Sequence, residues 1–236
     1  METTQQHLLN MHIRRDELAR SIGGGIPKSS LTVLEGPDGA GKSIIAQRLA
    51  YGFLQNGYTV SYLSTELTTQ GFIEQMSSLE YDVKYEMLDE KLFFISLYPY
   101  YGQGRLRENF LDILFTSKKL FEKDVIILDT LSFLLVDDHL SQDDAFAFMQ
   151  FLKRLNQLGK TIILGVDPEH INQRLLTLIR SACDIILHLE MRTFAGSTVR
   201  VINVKRFKRS GGDVLTAIPF RVEPQKGLVI EIVTFS

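Results

Sequence analysis

The sequence predicts an α/β fold: a mainly parallel central sheet with helices on both faces and an antiparallel β extension at its C-terminal end. Three observations carry this. Short β-rich apolar runs alternate with amphipathic stretches from Leu31 to Glu190, the pattern of a wound α/β sheet. Runs such as VIILD and TIILGV are almost continuously apolar, as strands covered on both faces require. After Glu190 the helical periodicity stops, and β-like segments separated by turn sequences follow.

Taken in order, strands are expected at Leu31–Glu35, Thr59–Ser64, Leu92–Ser96, Val125–Asp129, Thr161–Val166 and Ile185–Glu190. Helical spacing of apolar residues falls between them, near Lys42–Gln55, Thr69–Leu79, Leu106–Phe121, Asp143–Leu158 and Asn172–Ser181. The extension comprises Thr198–Phe207, Ala217–Glu223 and Leu228–Phe235, with turns at Ser210-Gly211-Gly212 and Gln225-Lys226-Gly227. No internal repeat or linker interrupts the chain, so one domain over residues 1–236 is expected. Residues 1–15 are open to being a flexible lead-in.

Hydrophobic residues make up 44% and charged residues 23% of the 236, which argues against disorder. A formal net charge of -2 leans against a partner whose many phosphates need neutralising, so no nucleic acid is expected. The one cysteine, Cys183, cannot form an internal disulfide, which suits a reducing compartment. No apolar run approaches the roughly 20 residues of a membrane span, and METTQQHLLNMHIRRDELAR lacks the apolar core of a signal peptide. A cytoplasmic location without direct membrane insertion is the expectation.

The chemistry starts at residues 36–43, GPDGAGKS, between the strand LTVLE and the helix opening at Lys42. This is a phosphate-binding loop in the context the motif requires. Gly36, Gly39 and Gly41, with Pro37, Asp38 and Ala40 between them, let the backbone turn tightly and aim N–H groups at phosphate oxygens. The helix N-terminus adds partial positive charge. Lys42 is expected to reach the β- and γ-phosphates of ATP, and the Ser43 hydroxyl to ligate Mg2+. Asp129, ending VIILD, is expected to face that magnesium through a water, although an Asp there can also merely cap the next segment. Glu66 follows the second strand, where a carboxylate can polarise the attacking water or simply be a solvated residue before a helix.

GGGIP before the first strand, GPDGAGKS, the carboxylate in LSTEL and VIILDTLS together resemble the RecA-like ATPases of the KaiC type. The resemblance runs from about Asp16 to the C-terminus. Within that group, the length of a single ATPase domain and the wording of LSTELTTQGFIEQM look most like the ATP-binding accessory component of the archaellum, the archaeal swimming motor. The resemblance implies a RecA-like fold, ATP as the nucleotide and a homo-oligomer, with an ATP-dependent hexameric ring as one form. It implies two partners, the motor ATPase of the archaellum and its membrane-anchored ring scaffold.

Two departures from the family stand out. KaiC-type enzymes place two adjacent acids after strand two, whereas here Glu66 is followed by Leu67. They also carry a Lys-x-Arg that reaches the γ-phosphate of the neighbouring subunit. This chain has Lys205-Arg206-Phe207, with Lys208 and Arg209 behind, and side chains change face at each strand residue. Lys205, Arg206 and Lys208 are therefore intersubunit candidates of altered geometry, or a solvated basic turn. Slow or absent hydrolysis is expected.

The aromatic stretch Tyr98–Arg105 can pack on its own domain or meet a partner. His170 and Asp167 follow a strand end near the nucleotide, so either could sense the γ-phosphate; a helix-start histidine is the plainer reading. Asp137 and Asp138 read as loop and capping charge. A DNA-acting recombinase paralogue would need basic loops on a central channel, yet 136–144 reads VDDHLSQDD. A KaiC-like autokinase would need a Ser/Thr-rich tail, and the sequence stops at Ser236 soon after the last expected strand.

Overall fold

The computed structural model describes residues 7–97, 110–130, 141–194 and 197–231. Its centre is a nine-stranded sheet. In chain order the strands and helices are β1 (Leu8–Leu9), α1 (Leu18–Ser21), β2 (Ile26–Pro27), β3 (Leu31–Glu35), α2 (Lys42–Gln55), β4 (Val60–Ser64), α3 (Thr69–Ser78), α4 (Lys84–Leu88) and β5 (Leu92–Ser96). Then come α5 (Phe110–Thr116), a 3-10 turn (Lys118–Phe121), β6 (Val125–Asp129), α6 (Gln142–Gln157), β7 (Thr161–Val166), α7 (Gln173–Ala182), β8 (Ile185–Phe194), β9 (Ser197–Phe207), β10 (Ala217–Glu223) and β11 (Gly227–Ile230). Across the sheet the order is β11-β10-β9-β8-β3-β7-β6-β4-β5. From β8 to β5 the neighbours run parallel, and from β8 through β11 they run antiparallel. The expected parallel core and C-terminal antiparallel extension are both present.

The core strands bury both faces, which explains their unbroken apolar runs. Alternate residues feed two hydrophobic clusters: Val33, Ile126, Leu128, Ile162 and Leu164 on one side, Leu34, Ile127 and Ile163 on the other. The first side is covered by α6 and α7 through Phe148, Leu152, Leu175 and Ile179. The second is covered by α2 and α3 through Ile45, Leu49, Phe53 and Phe72, and reaches Phe220 and Leu228 of the extension.

Helix starts follow from local chemistry. The Thr68 hydroxyl accepts from the Gly71 N–H at the head of α3. Ser141 and Asp144 form a reciprocal capping box on α6. The N-terminal segment is less expected. Leu8–Leu9 pairs antiparallel with Ile26–Pro27 of the GGGIP stretch. Beyond it, Asp16 and Arg48 form a fully buried ion pair, with Nη2 2.6 Å and Nε 2.9 Å from the carboxylate oxygens. The third guanidinium nitrogen donates to the Met11 carbonyl at 2.7 Å. Residues 11–16 are thereby fastened to α2, the helix that begins at the phosphate loop.

Some expected elements differ in extent. The helix expected at Leu106–Phe121 is α5 followed by a 3-10 turn, and residues 106–109 lie outside the described residues. The strand expected at Ile185–Glu190 continues to Phe194. The Tyr98–Arg105 stretch, Asp137 and Asp138 lie outside the described residues, as do 232–235 of the last expected strand.

Candidate nucleotide site

The site forms where β3, β6 and β7 end together. The register aligns Glu35 with Val166, and Ser64 with Asp129, so the loop after β3 and the acid ending β6 emerge on one edge of the sheet. The Gly36 N–H donates to the Val166 carbonyl at 3.1 Å, fixing the exit of the loop. A side chain at Gly36 would bring its Cβ within 2.3 Å of the Leu189 carbonyl oxygen, so only glycine passes there. Gly41 sits at φ +99° as the residue before α2, a conformation that side chains resist. Its Cβ would also meet the Phe220 ring at 3.1 Å and Arg200 Cδ at 3.3 Å.

Lys42 opens α2 with its side chain folded over the loop. The ammonium donates to the carbonyls of Gly36 (2.9 Å) and Pro37 (3.0 Å) and lies 3.7 Å from an Asp38 carboxylate oxygen. A buried cation beside a helix N-terminus is an electrostatic trap for phosphate. Next to it, the Ser43 hydroxyl donates to Asp129 Oδ1 at 3.1 Å. The other carboxylate oxygen accepts from the Tyr62 hydroxyl at 2.8 Å, and Thr130 Oγ1 lies 3.4 Å from Oδ1. Gly165 of β7 makes room for this acid: a Cβ there would come within 3.1 Å of Asp129 Oδ1.

Asp129 is fully buried, and that desolvation pushes its carboxyl up from an ordinary 3.8 to about 6. The Tyr62 hydrogen bond pulls the other way, the Glu66 charge pushes it further up, and Ser43 and Lys42 oppose that. A buried carboxylate and a hydroxyl converging beside a phosphate cradle form the oxygen donor set that hard divalent cations prefer. The residues therefore fit Mg2+ as well as the phosphates.

An open cavity of about 310 Å³ lies over the loop, bordered by Asp38, Lys42, Ser43, Glu66, Arg200 and Val222 among others. Glu66 is exposed at its rim. Leu67, by contrast, is half-buried and packs against the cluster that contains Phe72, and the Ser96 hydroxyl donates to its carbonyl at 2.7 Å. Asp167 directly follows β7 and is buried, 3.3 Å from His170 Nδ1. With the exposed Asp38 they bring three ligand atoms within 4.8 Å of one another.

Sequence reasoning missed Arg200 and Tyr62. Arg200 Nε donates to the Gly39 carbonyl at 3.0 Å, and no local motif marks it. Only the antiparallel return of β9 along β8 carries it to the loop. Tyr62 reads as an ordinary aromatic in a core strand. The parallel pairing of β4 with β6 is what sets it beside Asp129.

The basic cluster lies at the far end of β9. Between Ile186 and Leu187 the pairing shifts from Arg206 to Val204, so Lys205 is the extra residue of an irregularity. Arg206 then turns toward the end of α7 and donates to the carbonyls of Arg180 (2.5 Å) and Cys183 (3.1 Å). Lys208 lies 3.7 Å from Asp184 Oδ1, and Lys205 is exposed.

This arrangement has clear relatives. A family model described as "ATPase: KaiC" matches residues 13–233. The archaeal flagellar ATP-binding protein FlaH of Methanocaldococcus jannaschii is 39% identical over 225 residues, covering 95% of this chain and 96% of that protein. The crystal structure of the flagellar accessory protein FlaH from the same organism superposes with a TM-score of 0.89 at 38% identity, covering 96% of this chain and all of that one. A KaiC-like protein of Pyrococcus horikoshii shares the fold, with a TM-score of 0.74 at 16% identity over 95% of this chain and 99% of that one. A phosphate loop closed by a buried acid, matched across nearly the whole chain in sequence and in shape, places the protein in the KaiC family of RecA-like ATPases.

Proposed function

We propose that this chain is the ATP-binding regulatory component of an archaellum motor, whose nucleotide state controls self-assembly and docking to the motor ATPase, with slow or no ATP hydrolysis. The observation that carries the reading is that one acid, not an adjacent pair, follows β4. Glu66 lies at the cavity rim, and the next position, where KaiC-type enzymes hold a second acid, is Leu67, half-buried and packed against the core. The site keeps the groups that hold a nucleotide and lacks half of the acid pair associated with turning it over.

In this reading the loop N–H groups and Lys42 bind the β- and γ-phosphates, exchanging the lysine's bonds to Gly36 and Pro37 for stronger charge-assisted ones. Ser43 and Asp129 would be the residues that hold Mg2+, the hydroxyl as a direct ligand and the carboxylate through a water. When bound, such an ion would supply positive charge against that of the phosphates. Arg200, anchored on Gly39, adds a second cation in the same subunit. Glu66 orients the water for whatever hydrolysis remains.

Lys205, Arg206 and Lys208 sit at the opposite end of β9 from Arg200, away from this chain's own loop, so a role at a nucleotide would be at a neighbouring subunit's. Because Arg206 is engaged with its own chain's carbonyls, reach across such a joint falls mainly to Lys205 and Lys208. The matched relatives named FlaH support the archaellum setting. Among the described residues no helix is long and apolar enough to cross a membrane, so attachment at the motor is assigned to partners, namely the motor ATPase and the membrane-anchored scaffold.

A ligand shifts an assembly equilibrium only through contacts that differ between the free and assembled states. The test is light scattering and pull-down against the motor ATPase in ATP, ADP and no nucleotide. ATP should favour association more than ADP, and Lys42→Ala should lose the response while folded. Equal association in all three conditions would make the nucleotide a bound structural group that no partner reads.

A further inference from the structure

We infer that Tyr62 is a positioning residue for the magnesium site: its hydroxyl sets the plane of the Asp129 carboxylate and so decides which oxygen is presented beside Ser43. The inference rests on the proposed Mg-ATP reading and adds a residue that no motif marks.

A carboxylate on a strand end has a soft, roughly two-fold terminal torsion, so something must choose its plane. Here the two oxygens have different partners. Oδ2 accepts from the Tyr62 hydroxyl at 2.8 Å, while Oδ1 faces Ser43 Oγ at 3.1 Å. Tyr62 is itself held from behind. Its ring packs on Phe72 of α3 at 5.0 Å and on Phe94 of β5 at 6.0 Å, and those two rings stack at 4.2 Å. Side-chain Tyr62 and Asp129 are both buried, so water does not substitute readily for the phenol.

The plainer account is that Tyr62 merely fills the core and satisfies its own hydroxyl on the nearest acceptor. The two accounts separate on removal of one oxygen atom. Tyr62→Phe keeps the ring and its aromatic neighbours but frees the Asp129 plane. Groups that orient a metal's ligands typically change metal affinity about 10–100-fold when lost, and an acid acting through a water belongs at the lower end.

The experiment is calorimetric binding of ATP to the full chain in EDTA and across a MgCl2 titration, for wild type, Tyr62→Phe, Asp129→Asn and the double variant. Tyr62→Phe should leave ATP affinity in EDTA unchanged and raise the Mg2+ concentration for half-maximal effect about ten-fold. In the Asp129→Asn background the same change should do nothing further. A Mg2+ titration that superposes on wild type overturns the inference. So does an equal loss of affinity in EDTA, loss of a cooperative melt in Tyr62→Phe, or additivity with Asp129→Asn. Failure of the underlying reading looks different: wild type itself would show no magnesium dependence.

Discussion

Asp129→Asn should make the free protein more stable, in a way that depends on pH. Burial raises the Asp129 carboxyl from 3.8 to about 6, so the folded chain holds a proton there that the unfolded chain has released. A group with a raised folded pKa contributes stability that is fully present below pH ~4 and is lost as pH rises through ~6. At about 1.4 kcal/mol per pH unit the loss reaches about 3 kcal/mol above pH ~7. Asparagine preserves the shape, accepts the Tyr62 hydroxyl and carries no charge to desolvate. Variant and wild type should therefore converge below pH ~4, with the gap about half open near pH 5 and at about 3 kcal/mol near pH 7.5. For a chain of this length that is roughly 6–12 °C in Tm. The assay is urea unfolding of both proteins in EDTA, without nucleotide, from pH 5 to 8. Mg-ATP should then narrow or reverse the gap, because it stabilises the ionised wild-type site more. A gap that stays constant with pH, or an asparagine variant less stable at pH 7.5, would refute the desolvation argument.

Lys42→Ala should weaken ATP binding roughly 100-fold or more by calorimetry, since among the described residues no other cation occupies the centre of the loop; unchanged affinity would sink the phosphate assignment. Steady-state phosphate release should run far below the roughly 10 per second typical of enzymes. Glu66→Gln should abolish what there is without changing ATP affinity, and a brisk rate in that variant would exclude Glu66 as the water-orienting acid. Asp16→Ala leaves the Arg48 guanidinium buried without its carboxylate and should cost about 3–5 kcal/mol in denaturant unfolding. A loss under 1 kcal/mol would mean that the N-terminal segment detaches freely from α2.

What was legible in the sequence is what chain-local patterns encode. The strands LTVLE and VIILD and the helix from Lys42 matched residue for residue, because an apolar run bounded by a glycine-rich turn leaves few alternatives. The loop and its acid were legible for the same reason: each is a strand end with its chemistry attached. The short pieces β1, β2 and α4 were not legible, since two to five residues carry no period to detect. The Asp16–Arg48 pair was equally hidden. In sequence both look like ordinary surface charges, and only packing of residues 11–16 on α2 buries them.

Arg200 and Tyr62 were missed for a deeper reason that also bears on function. Both reach the site through strand pairing, Tyr62 by the parallel β4–β6 ladder and Arg200 by the antiparallel turn-back of β9. Pairing is a property of the whole sheet, so no window of sequence announces it. The irregularity at Lys205 has the same origin and a sharper consequence. One extra residue in β9 turns Arg206 onto the carbonyls that end α7, where it satisfies acceptors that a helix terminus leaves open. An arginine so engaged gives up own-chain hydrogen bonds if it reaches for a neighbour's phosphate, whereas the exposed Lys205 gives up little. If the proposed assembly forms, the local slip in register leaves lysine as the residue freer to meet a neighbour's nucleotide, with weaker and less directional contacts than an arginine makes. Such contacts suit a protein whose assembly follows nucleotide state more than one that drives hydrolysis in the next subunit.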